Sequence, residues 1–92
     1  MKNPRNLVGP EIRKLRYQQE LTQPLLAARC ARYGWITSRE TIAKIEAQFR
    51  WVSDFELLCL AQSLGVSVSV LLPEKAVIAK TLRDFFESRS SG

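Results

Sequence analysis

The sequence contains no histidine, only two cysteines and only four glycines. Without histidine it lacks the commonest general base and the commonest metal ligand near neutral pH. Cys30 and Cys59 do not have metal-site spacing, and both fall inside apolar helical patterns. That reads as two reduced, buried small hydrophobes, not a disulfide framework. Four scattered glycines make no phosphate loop. Nine carboxylates remain, most of them where helix caps and solvated faces want them, and nothing supports a catalytic dyad. No cofactor, no metal and no enzymatic activity are therefore expected. No apolar run approaches the roughly 20 residues of a bilayer span. The start, Met1-Lys2-Asn3-Pro4-Arg5, is charged and contains proline, unlike a secretory signal. The expected place is the cytoplasm, away from membranes.

What is present is one domain's worth of chain, 92 residues, with 46% hydrophobic and 25% charged residues. That balance fits an ordinary globular fold and excludes a disordered chain. A chain this short buries only a thin core. The formal net charge of +5 is unevenly spread. Residues 1–50 hold ten Lys/Arg against four Asp/Glu, and residues 51–92 hold four against five. All the excess positive charge lies in the first half, which suggests a polyanion-binding face there. The plainer alternative is basic surface that only keeps the chain in solution.

Periodicity divides the chain into helices. Residues 1–8 form an arm without regularly spaced apolar positions. A first helix runs from about Pro10 to Glu20, with Ile12 and Leu15 inward. Thr22 caps a second helix, with Pro24 in its first turn and Leu25, Leu26 and Cys30 on the buried face, ending near Arg32. Tyr33-Gly34-Trp35-Ile36 is a break. A third helix starts at Thr37 or Ser38 and runs to about Ala47, with Ile42 and Ile45 inward. After a linker, Ser53-Asp54-Phe55-Glu56 has capping-box spacing and launches a fourth helix through Phe55, Leu57, Leu58, Leu60, Ala61 and Leu64, closed by Gly65. A short fifth helix, Ser67 to Leu72, is stopped by Pro73. Residues 74–87 read as one more amphipathic helix, and 88–92 as a disordered polar tail. The expected architecture is all-α.

Three segments carry a resemblance to a known family. Leu21-Thr22-Gln23 opens helix 2, and Ser38-Arg39-Glu40-Thr41-Ile42-Ala43-Lys44-Ile45-Glu46 forms helix 3. Leu60-Ala61-Gln62-Ser63-Leu64-Gly65-Val66-Ser67 then leads into Leu71-Leu72. In that order and spacing they resemble the lambda-repressor-like, Cro-type (XRE) helix-turn-helix family over residues 9–72. The resemblance implies a five-helix bundle, here with an additional C-terminal helix over residues 73–87. It also implies sequence-specific, major-groove binding of double-stranded DNA, with helix 38–47 as the recognition helix.

On that reading Thr22 and Gln23 sit at a helix N-terminus suited to a backbone phosphate, the plainer role of Gln23 being a surface residue in a cap. Arg39 has the fork for guanine, and Ser38, Thr41 and Lys44 reach bases or phosphates; the plainer role of Arg39 and Lys44 is a solvated face. Glu40 either accepts from cytosine or closes a capping box with Thr37. Arg32 and Arg50 are expected at phosphates. The resemblance further implies an ion pair between Arg16 and Glu46 that orients the recognition helix.

Two departures from the family pattern stand out. The segment from Leu26 to Glu46 is longer than usual, the excess lying within Ala31–Ile36, and Gln48 stands where the family often has glycine. Trp35 is expected to pack against the domain, and Phe49 and Trp51 to act as core lids in preference to a partner surface. Val77, Ile78, Leu82, Phe85 and Phe86 make an apolar stripe on the last helix. It either packs back on its own domain or, the preferred reading, meets a second copy in a homodimer. Two functions are carried forward: a transcriptional regulator at the nucleoid, and an antitoxin-like module that binds a protein partner and represses its own gene. A purely structural bundle is disfavoured by the lopsided charge.

Overall fold

The helices begin and end where local chemistry directs. In a computed structural model describing residues 3–90, the elements are α1 (Gly9–Gln18), α2 (Gln23–Ala31), α3 (Arg39–Glu46), α4 (Asp54–Leu64), a 3-10 turn (Val68–Leu71) and α5 (Lys75–Ser90). No strand occurs among the described residues. Thr22 Oγ1 accepts the Leu25 amide at 3.2 Å, and Ser38 Oγ accepts the Thr41 amide at 3.2 Å. Ser53 and Glu56 close the expected capping box with reciprocal bonds of 3.1 Å. Because Ser38 is the cap of α3, the Thr37–Glu40 box does not form, and Glu40 lies exposed in the first turn.

Helix exits follow one device four times. Glu20 (φ 55°), Gly34 (φ 96°), Gln48 (φ 65°) and Gly65 (φ 70°) take the left-handed conformation. In each case the next residue's amide reaches back five residues: Leu21 to Arg16, Trp35 to Cys30, Phe49 to Lys44, Val66 to Ala61. This closes the orphan carbonyls of the last turn. The bend after α3 is thus made at Gln48 itself. Its side-chain amide donates to the Asn6 carbonyl at 2.8 Å, which ties the strained residue down.

Ile12, Leu26, Cys30, Ile42, Ile45, Leu60 and Leu71 are fully buried and form the core, with Leu15, Trp35 and Leu57 packed against it. Leu25, expected inward, is not, and two apolar residues of α4 are also left outside. Leu25 is 51% exposed, Phe55 84% and Leu58 51%. On α4 the buried residues are Cys59, Leu60, Ala61, Ser63 and Leu64; Leu58 lies on the opposite side of the helix, and Phe55 lies in its first turn, before the buried stretch begins. Phe49 and Trp51 are also more than half exposed and are not core lids.

The arm, over its described part, is bonded to the α3–α4 connection. Asn6 Nδ2 donates to the carbonyls of Ile45 (3.0 Å) and Arg50 (2.9 Å), while Asn6 Oδ1 accepts the Gly9 amide at 2.8 Å. Gly9 starts α1 one residue before Pro10 because the chain there presses on α3. A Cβ at this position would meet the Ile45 and Glu46 carbonyl oxygens.

The segment expected to be a fifth α-helix over Ser67–Leu72 is a single 3-10 turn, with Leu71 as its one fully buried residue. α5 runs past Glu87 to Ser90, so residues 88–90 of the expected tail are helical; Ser91 and Gly92 lie outside the described residues. No side chain of α5 from Lys75 to Arg89 is fully buried. It leans on the domain through Phe85, edge-on to Trp51 at 6.1 Å, and Arg89 caps that pair from 3.9 Å above the Phe85 ring.

Candidate nucleic-acid interface

α2 and α3 pack on each other and both pack on the core, α2 through Leu26 and Cys30 and α3 through Ile42 and Ile45. Burying that stripe of α3 leaves Arg39, Glu40 and Lys44 exposed and Thr41 half-exposed on the other faces. Neither the Arg39 nor the Lys44 side chain has an ion pair or hydrogen bond among the described residues. The face therefore carries two uncommitted cations. Ser38 Oγ also donates to Thr41 Oγ1 at 3.2 Å, so these hydroxyls order each other at the start of the helix.

The orientation of α3 is set by a buried ion pair. Arg16 grips Glu46 with two bonds, Nε to Oε2 at 2.7 Å and Nη2 to Oε1 at 3.0 Å, and its Nη1 donates to the Leu21 carbonyl at 2.8 Å. Both side chains are over nine-tenths buried. The hydrogen bond and charge of Glu46 outweigh the opposing effect of burial and raise the Arg16 guanidinium above its already high value. Gln23 joins the same group, its Nε2 donating to Glu46 Oε1 at 3.1 Å. The first residue of α2 and the last of α3 are thereby held by one carboxylate, with the second N–H of Gln23 uncommitted.

A shallow notch opens beside this group. Thr22 and Gln23 from the start of α2, Arg39 from the start of α3, and Tyr17 and Glu20 from the end of α1 line it. Of the sequence-predicted residues, Thr22, Gln23 and Arg39 thus come together, with Ser38, Glu40, Thr41 and Lys44 along the adjoining helix. Arg32 is exposed at the far end of α2 and does not line the notch. Arg50 does not line it either. Its guanidinium is taken up by Glu56 at 2.9 and 3.0 Å and by the Trp51 carbonyl at 3.0 Å, which ties the α3–α4 connection to the start of α4. Arg50, followed by the backbone amide of Ser53, holds the Glu56 carboxyl below its ordinary range, against the opposing effect of burial.

Two contributors went unread in the sequence. Tyr17, one turn after Arg13 on α1, has the helical i, i+4 spacing that could have drawn notice. Asn6 precedes Gly9 by three, the spacing of a helix-entry cap, but its bonds to Ile45 and Arg50 are non-local. On α5, Ile78 and Phe85 are half-covered while Val77, Leu82 and Phe86 stay exposed, so part of the stripe packs back on the domain and part does not. The two cysteines lie in the core, where burial pushes the Cys30 thiol up to about 11. No helix of the described residues is long and apolar enough to cross a membrane. Comparison of the chain with models of known families, with curated proteins and with solved structures gives no match.

Proposed function

We propose that the chain is a sequence-specific DNA-binding transcriptional regulator of the lambda-repressor-like kind, working at the nucleoid in the cytoplasm and without catalytic activity. α3 enters the major groove of double-stranded DNA with Arg39, Glu40, Thr41 and Lys44 toward base edges, and Thr22 and Gln23 hold a flanking phosphate. The observation that carries this is the Glu46 carboxylate, which locks the end of α3, the start of α2 and Arg16 of α1 into one rigid unit. A helix that reads bases must be held in fixed relation to the one that sits on the backbone, and phosphate contacts then set its register. The uncommitted cations on the exposed face of α3 and the positive excess of residues 1–50 supply the charge that DNA requires. Two copies act together, the exposed residues of α5 meeting across a two-fold axis and spacing the recognition helices about one helical turn apart.

A second reading, an interaction module whose DNA binding is autoregulatory, draws on the nearly full exposure of Ile36 and Phe55. Selection of bound sites from random duplex DNA tests the base reading on which both rest, and where the selected site falls separates them: at distal genes for the regulator, at the chain's own promoter for the module. The regulator reading expects a defined, roughly two-fold symmetric site to emerge. Enrichment of no sequence at all would remove it.

A further inference from the structure

Tyr17 stands on the wall of the notch that also holds Thr22, Gln23 and Arg39, and 59% of it is exposed. A tyrosine on an open surface is ordinarily free to swing, but this one is held by two cations. The Arg16 guanidinium, itself fixed by Glu46, lies 4.6 Å from the ring centroid, and the Arg13 guanidinium lies 5.4 Å from it. Arg13 Nη2 also donates to the Tyr17 hydroxyl at 3.4 Å. The ring is thus clamped by cation–π contacts, and its oxygen is engaged as an acceptor. That leaves the phenolic O–H as a donor with no partner among the described residues, directed by a cation that has further N–H groups of its own. Glu20 is the one carboxylate on the wall.

We infer that Tyr17 and Arg13 together bind a phosphodiester of duplex DNA beside the one held by Gln23, which rests on the DNA-binding reading above. The chemistry suits the ligand. The Tyr17 O–H and the Arg13 guanidinium held beside it offer two donors to adjacent oxygens of one phosphate, and neither reads a base. Hydrogen bonding from Arg13, ahead of that from Arg16 and of their charges, lowers the Tyr17 pKa and makes its hydroxyl the stronger donor. The pair widens the backbone contact from the α2 terminus to the last turns of α1.

The test compares wild type, Tyr17→Phe and Arg13→Gln on two duplexes, the selected site and a scrambled sequence, across a series of salt concentrations. Tyr17→Phe should weaken binding to both duplexes by the same factor, about tenfold, with the salt slope and melting temperature unchanged, because an uncharged donor to a charged acceptor has been lost. Arg13→Gln should weaken both as well and reduce the salt slope by about one. Wild-type-like binding of both duplexes by Tyr17→Phe would overturn the inference. So would a loss confined to the selected site, since that is the mark of a base contact. If wild type itself binds neither duplex, the DNA-binding reading fails, and the phosphate contact fails with it.

Discussion

Glu46 accepts three hydrogen bonds from two residues that belong to different helices; it and Arg16 are nearly out of water, while Gln23 is partly exposed. A carboxylate in that position is stabilising only while all its partners stay, because an unpaired buried charge costs about 3–5 kcal/mol. The second ion pair, Arg50–Glu56, is more open and is worth about 1 kcal/mol or less. Its pH dependence has a definite sign. Glu56 has a folded-state pKa below its ordinary value, so its contribution is present above the unfolded carboxyl pKa of about 4.3 and is lost as pH falls through the lower folded value. Denaturant unfolding should accordingly find Glu56→Gln less stable than wild type at pH 7, with the gap narrowing as pH falls below about 4. A gap that stayed constant with pH would mean that the charge of Glu56 is immaterial. Glu20 offers a change in the opposite direction. It is exposed, has a left-handed backbone and carries a side chain that makes no hydrogen bond among the described residues. Glu20→Gly should relieve about 1 kcal/mol of strain and raise Tm by roughly 4–8 °C. A lowered Tm would contradict the left-handed exit. Gln48 is a poorer test of the same idea, because its amide also bonds to Asn6.

At the scale of the element, helix entries were the most legible feature of the sequence. A hydroxyl cap acts on amides two or three residues away, so Thr22 and Ser53 could be read locally. The choice between Thr37 and Ser38 could not, since adjacent hydroxyls compete and only the packing of Ile42 and Ile45 settles which one caps. Inward faces were less legible where a helix has apolar residues all round. α4 carries Phe55, Leu57, Leu58 and Leu60, and its partners on the core decide which of them are covered. The close approach of Gly9 to α3 and the Asn6 clamp join residues more than thirty positions apart, and no local pattern encodes them. In the candidate site, the Arg16–Glu46 pair and the exposed residues of α3 were anticipated; the Arg13–Tyr17 pair follows from local helical spacing that went unread, whereas the Arg50–Glu56 bonds arise from how the α3–α4 connection folds. α5 remains the element with least to hold it, since none of its described side chains is fully buried. Removing residues 74–92 should leave Tm within a few degrees of the full chain, because the core is complete by Leu71. In the proposed dimer the truncation should also convert a species that sediments as two copies at high micromolar concentration into one copy, with much weaker DNA binding. A full-length chain that sediments as a monomer with and without DNA would contradict that use of α5.

At the scale of the whole molecule, the two halves of the chain divide the work. Residues 51–92 supply Leu60, Leu64 and Leu71 to the core and carry the half-exposed stripe of α5, while the positive excess lies wholly in residues 1–50. The cationic half holds α1, α2 and α3 together through Arg16 and Glu46. This leaves α3 displaying its uncommitted residues on a rigid base. In the proposed DNA complex such an arrangement would separate two kinds of contact, those that fix position and those that specify sequence. The direct measurement is the affinity of wild type and Arg39→Ala for a complete set of single base-pair variants of the selected site, at one salt concentration. Arg39→Ala should cost about 1–3 kcal/mol on the selected site and lose its preference at one base pair, while preference elsewhere is kept. An equal loss at every base pair, or no loss at all, would show that α3 does not read the sequence through Arg39.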